Sequence, residues 1–327
     1  MMSERIRRSE LMPEIREDRI PNPSIREYFI ENGNDIKNKG YVDKTKMKEN
    51  MRILTLNIKG CRLSNNQRIK EIRESMEKKQ IDVALLCEAN TKWNTRNIEK
   101  IEKEMKELGK GTMCITADSN QWQMTTKDYL PGGLINVITQ RYATLINEEK
   151  VKRSRLGNWT AIPLTCNGKR VELISMYRIP ITSESEGVYS SLAQYHMKDA
   201  KVRKAKDYRR EIFEEITRYI RANESIDDII IAGDYNQNIN DKQVQKFHEE
   251  IGVREVHARI NNIRMEQFDR TYKNGSKPID SVAASCGIMD FIEGCELLNY
   301  NEIIDTDHRA YMIDVNLEEY FSEEFNE

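Results

Sequence analysis

Short apolar runs recur along the chain at 53–56, 83–87, 134–138, 159–164, 171–176, 229–232, 279–284 and 310–315. Each has the length of a strand and is bounded by polar residues, which predicts buried strands. Between them the apolar positions change period. Ile69, Ile72 and Met76 fall at i, i+3 and i+7, and so do Ile98, Ile101 and Met105, with Leu108 continuing toward a stop at Gly109. Phe213, Ile216 and Ile220 repeat the spacing, as do Val244, Phe247 and Ile251. One apolar stripe per segment predicts helices lying on a core. Strands interleaved with helices over residues 51–316 predict one α/β domain, and periodicity leaves the number of sheets open. Residues 1–50 read differently. They are polar and charge-mixed, with Pro13, Pro21 and Pro23 and no sustained period beyond SIREYFIE, so an extension or linker is expected there. Residues 317–327 read as an acidic tail.

Composition narrows the class. The chain has 327 residues, 32% of them charged, yet a formal net charge of only -2. Affinity for nucleic acid would therefore have to come from local patches. Two such runs stand out. Lys152, Arg153 and Arg155 form one; Lys201, Arg203, Lys204, Lys206, Arg209 and Arg210 form a denser second. Either run alone reads equally well as a solvated face. The six cysteines, Cys61, Cys87, Cys114, Cys166, Cys286 and Cys295, contain no CxxC pair, which favours reduced thiols in an intracellular protein over a zinc or redox motif. Nucleus and cytoplasm stay undecided. No apolar run approaches the roughly 18 residues of a membrane span, and the N-terminus has no apolar leader core. No membrane partner is expected, and the oligomeric state stays open.

The chemistry sits where the strands end. ILTL ends in Asn57, VALLC in Glu88, ELISM in Tyr177, and DIIIAG in Asp234-Tyr235-Asn236. Asp280 stands in the run after Lys277-Pro278, and Asp305-Thr306-Asp307-His308 leads into AYMIDV. A polar residue at the end of a buried strand lies beside the ends of its neighbours, where α/β proteins assemble sites. Each one alone is most often a solvated loop residue. Two carboxylates, an amide, a tyrosine, an Asp-x-Asn and an Asp-His, all at strand ends, form a more informative set.

In order and spacing, LTLNIKG, LLCEAN, MYRIP, GDYNQN, KPIDS and DTDH resemble the motifs of the endonuclease/exonuclease/phosphatase superfamily, nearest its apurinic and retrotransposon endonuclease branch. The resemblance spans about residues 51–316. It implies an α/β (α+β) fold, a four-layer α/β/β/α sandwich of two packed mixed sheets flanked by helices. It also implies a phosphodiesterase dependent on Mg²⁺ or Mn²⁺, with Glu88, Asn57 and Asp307 at the metal, since hard cations take oxygen ligands. Asp234 would align or deprotonate the attacking water, and Asn236 would hydrogen-bond the phosphoryl oxygens. Tyr177 would sit near the same phosphate, and His308 would be held by Asp280. Departures are Ser281 after Asp280, where the superfamily often has Tyr or His, and Thr306 in place of Ser. Tyr177-Arg178-Ile179-Pro180 stands where DNase I and the sphingomyelinases carry a second catalytic His, which points away from the lipid enzymes. The expected partner is nucleic acid, DNA before RNA, with the two basic runs tracking phosphates. Two alternatives remain: a phosphatase or phosphodiesterase acting on a small molecule, lipid or nucleotide, and a non-catalytic nucleic-acid-binding relative.

Overall fold

A computed structural model describes residues 39–43, 45–63, 66–118, 129–180 and 205–322. The strands are β1 (Gly40–Tyr41), β2 (Asn50–Asn57), β3 (Val83–Cys87), β4 (Met113–Ala117), β5 (Leu134–Ile138), β6 (Lys152–Arg153), β7 (Trp159–Cys166), β8 (Lys169–Tyr177), β9 (Asp228–Asp234), β10 (Val253–Glu255), β11 (Asp280–Ser285), β12 (Ile292–Leu297) and β13 (Tyr311–Asn316). One sheet runs β1-β12-β13-β2-β3-β5-β4 and the other β10-β11-β9-β8-β7-β6. Both are mixed, with parallel pairs β2/β3 and β8/β9 near their centres.

All eight apolar runs are strands. Their alternation sorts the side chains into layers. Ile53, Val83 and Leu85 of the first sheet share a buried cluster with Leu173, Ile230, Ala232 and Val282 of the second, so these faces pack on each other. The opposite face of the first sheet (Leu54, Leu56, Ala84, Leu86) is covered by α1 (Gln67–Lys78) and α2 (Thr95–Met105) through Ile69, Ile72, Met76, Ile101 and Met105. The opposite face of the second (Ile174, Met176, Ile229, Ile231) is covered by α3 (Ala205–Arg221) and α4 (Lys242–Ile251) through Phe213, Ile216, Val244, Phe247 and Ile251. This is the expected four-layer α/β/β/α sandwich.

The strands missed from sequence are β1, β4, β6, β10 and β12. All but β12 lie at an edge, where less burial leaves a weaker apolar signature, and β12 (IEGCEL), beside the edge strand β1, breaks its pattern with polar residues and a glycine. Both expected domain limits need correction. In the stretch expected to be an extension, Gly40 and Tyr41 pair with β12, and Arg52 Nη2 donates to the Asp43 carbonyl at 2.6 Å. In the stretch expected to be a tail, Leu317–Ser322 is a helix, α5, whose Leu317, Tyr320 and Phe321 enter the core between the sheets. Three large apolar groups at i, i+3 and i+4 outweigh the acidic composition of that segment.

Candidate active site

The register of the sheets brings the strand ends together. Tyr177 and Asp234 are partners across β8/β9, Asp234 and Asp280 across β9/β11, and Asn57 and Cys87 across β2/β3, with Glu88 next in the chain. The two sheets then meet through side chains, for Asn57 Nδ2 donates to Glu88 Oε2 at 2.8 Å and to Asp234 Oδ2 at 2.9 Å. Gly233 allows β9 to run this close to β8, because its φ is 147° and a Cβ there would strike the Met176 carbonyl. Lys59, Glu88, Asn90 and Asn236 all have φ between 45° and 55°. Such backbone is uncommon for non-glycine residues and collects at functional sites.

Asp234 is fully buried, and every oxygen of its carboxylate accepts. Oδ1 takes the Asn236 backbone N–H at 2.6 Å; Oδ2 takes the Asn57 amide and the Asn236 amide, the latter at 3.0 Å. Burial pushes its pKa up to about 8, the Asp280 charge adds to the push, and His308 and Asn57 pull it down. His308 holds Asp280 through Nδ1, at 3.0 Å to Oδ2 and 3.3 Å to Oδ1. Burial opposes charge on this imidazole, but Asp280, Asp234 and Asp307 together raise its pKa to about 10. The Tyr272 ring covers it at 5.0 Å. Thr306, between Asp305 and Asp307, ties this loop to the first sheet by donating from Oγ1 to the Asn57 carbonyl at 2.9 Å.

Several of the expected site residues already have protein partners. Both amide hydrogens of Asn236 are used, by the Arg178 carbonyl at 2.6 Å and by Asp234. Asn236 thereby fixes the Asp234 carboxylate to the turn after β8. Asn57 Oδ1 accepts the Lys59 N–H at 2.9 Å, so its amide nitrogen, not its oxygen, faces the carboxylates. Asp307 is paired with Lys59 Nζ at 2.6 Å. Tyr177 is fully buried in the helix-covered face, at the foot of the site.

Arg209, expected on the nucleic-acid surface, is buried. Its Nη2 donates to the carbonyls of Tyr235 at 3.2 Å and Asn236 at 2.8 Å, so it braces the turn that follows β9. Arg178 lies beside it, 3.8 Å over the Phe213 ring, and donates to Gln237 Oε1 at 2.7 Å. Burial, with Arg209 nearby, pushes the Arg178 pKa down to about 8. Arg210 is exposed and pairs with Glu214. Lys152, Arg153 and Arg155 are exposed and line a groove of about 510 Å³ together with Arg218 and Trp159. Lys201, Arg203 and Lys204, and the side chain of Lys206, lie outside the described residues.

Sequence reasoning missed Lys59, Asn90 and Tyr272. Asn90 Nδ2 donates to Glu88 Oε1 at 3.2 Å. Lys59 and Asn90 lie inside the quoted motifs, two residues from Asn57 and Glu88, whereas nothing local marks Tyr272.

Glu88 offers a half-buried carboxylate, the oxygen ligand a hard divalent cation takes, and such an ion keeps several waters and needs only one or two carboxylates. Ligand-type atoms of Asp234, Asp280 and His308 also lie within 4.8 Å of one another. All three are buried and bonded among themselves or to amides, which suits proton handling better than an exchangeable cation.

No protein-family model matches the sequence, and no curated protein matches it. Solved structures do match in fold. The AP endonuclease LMAP from Leishmania major aligns at a TM-score of 0.56 with 14% identity, over 84% of this chain and 89% of its own. The 3'-5' exonuclease NExo from Neisseria meningitidis aligns at 0.54 with 12% identity, over 81% and 99%. An AP endonuclease from Archaeoglobus fulgidus aligns at 0.51 with 12% identity, over 80% and 98%. This chain therefore has the fold of the endonuclease/exonuclease/phosphatase superfamily.

Proposed function

We propose that this protein is a divalent-metal-dependent nuclease that hydrolyses phosphodiester bonds of nucleic acid, DNA before RNA. The observation that carries the reading is the junction of the two sheets, where Asn57 bridges Glu88 and Asp234 while Asp280 holds His308. Asp234, with a pKa near neutrality and no rotational freedom, takes the proton of an attacking water. His308 stands charged, with Nδ1 on Asp280 and Nε2 left for a phosphoryl oxygen, and stabilises the negative charge of the transition state. A Mg²⁺ or Mn²⁺ ion held at Glu88 would supply further charge neutralisation at the phosphate.

The surface beside Glu88 favours a polyanion with bases. A cavity of about 720 Å³ is lined by Asn90, Arg62, Arg96, Lys100 and Tyr129, which supplies cations for phosphates and a half-exposed ring for stacking. Lys152, Arg153 and Arg155 add a second cationic surface. In-line attack with the 3′ oxygen leaving would yield a 3′-hydroxyl and a 5′-phosphate, an end that a polymerase or a mobile element's reverse transcriptase extends directly.

The test is to incubate the protein with Mg²⁺ or Mn²⁺ and supercoiled plasmid, abasic duplex, RNA or a chromogenic phosphodiester. Nicks that a polymerase extends without phosphatase treatment are expected. Turnover of the small ester with no cleavage of any nucleic acid would move the protein to the small-molecule phosphoesterases.

A further inference from the structure

Lys59 is the one lysine of the described site whose ammonium lies directly on a proposed metal ligand, 2.6 Å from Asp307 Oδ2. An exposed lysine–carboxylate pair is ordinarily worth little and is easily exchanged. Two observations set this one apart. The Lys59 backbone is left-handed, with φ 50°, and its N–H is fastened to Asn57 Oδ1, so the residue is anchored to the junction of the sheets. Asp307 is only 14% exposed, whereas the lysine side chain is 58% exposed, so the largely buried carboxylate is met from the solvent side.

We propose that Lys59 is a built-in second cation of the site: its ammonium neutralises Asp307, so that Glu88 alone among the carboxylates carries a divalent ion, and the lysine meets the substrate phosphate from the Asp307 side. The inference rests on the metal-dependent reading above. It follows from charge, since an ammonium at hydrogen-bond distance offsets the Asp307 carboxylate and weakens its pull on a second cation. A merely structural tether between the two loops would cost stability when cut and would leave metal binding unchanged.

Mn²⁺ binding to the whole protein, followed by electron paramagnetic resonance, separates these roles without recourse to activity. The wild type is expected to bind one ion per chain. Lys59→Met, with its fold checked by thermal melting, is expected to bind Mn²⁺ on the order of tenfold more tightly or to admit a second ion, because Asp307 is released as a ligand. Asp307→Asn alone should weaken Mn²⁺ binding, because the ammonium is then unopposed, and in the Lys59→Met background it should cancel the gain. Two ions in the wild type, or an unchanged number and affinity in Lys59→Met, overturns the proposal. Absence of Mn²⁺ binding already in the wild type overturns the metal-dependent reading itself, and this proposal with it.

Discussion

The site has two walls of opposite character. On the second sheet, Asp234 and Asp280 are buried and Asn236 is half-buried, and their carboxylate oxygens and amide hydrogens have fixed partners; His308 joins them from the loop before β13. On the first sheet, Glu88 is half-buried and Lys59 largely exposed. The difference follows from dielectric. A buried group has its pKa moved and its orientation locked, which suits proton transfer. A solvated group keeps its charge and can exchange partners, which suits holding a cation and receiving a phosphate. Asn57 joins the walls, with one hydrogen bond to each.

The largest expected effect breaks the buried wall. Asp234→Asn removes the base and should lower kcat by about 10³–10⁴-fold, as read by steady-state cleavage. A loss under tenfold would show that another group takes the proton. Glu88→Gln breaks the open wall. It should cost about 10²–10³-fold, with part of the loss recovered at raised Mn²⁺, because an exposed ligand can be compensated by mass action. Recovery of Asp234→Asn by metal as well would erase the distinction between the walls.

His308→Ala should cost more than Asp280→Asn, since the first removes the group at the phosphate and the second only its holder. Asp280→Asn should also shift the pH profile. In the wild type, activity should rise with pH through about 8 as Asp234 loses its proton, and fall through about 10 as His308 loses its own. Loss of the Asp280 charge lowers both pKa values, so both limbs should move to lower pH. An unmoved profile in Asp280→Asn would detach the two limbs from these residues.

The smallest effects separate neighbours in sequence. Arg209→Ala strips donors from two buried carbonyls and should destabilise the protein by about 2–4 kcal/mol in chemical denaturation. Arg210→Ala, which removes an exposed pair on the same helix turn, should stay within about 0.5 kcal/mol. Equal losses would contradict the buried bracing role.

The strand-end residues were legible because a hydrophobic run has to stop where the sheet stops, so Asn57, Glu88, Tyr177 and Asp234 announce themselves by what precedes them. The helical stripes were legible for the same local reason. Burial and partnership were not. Arg209 and Arg210 are adjacent and chemically identical in the sequence, yet one is sealed under the catalytic loop and the other solvated, because a helix turns about 100° per residue. The partners of Asn57 and Asn236 likewise depended on which acceptors lay within 3 Å, and those acceptors stand 177 and 58 residues away in the chain. Sequence by itself determined which residues stand at strand ends and which faces are apolar, since both are set by neighbours a few positions apart. Only the tertiary structure decided which carboxylate is dry, which is paired with lysine and which arginine is structural, because desolvation and hydrogen bonding depend on contacts between segments remote in the chain.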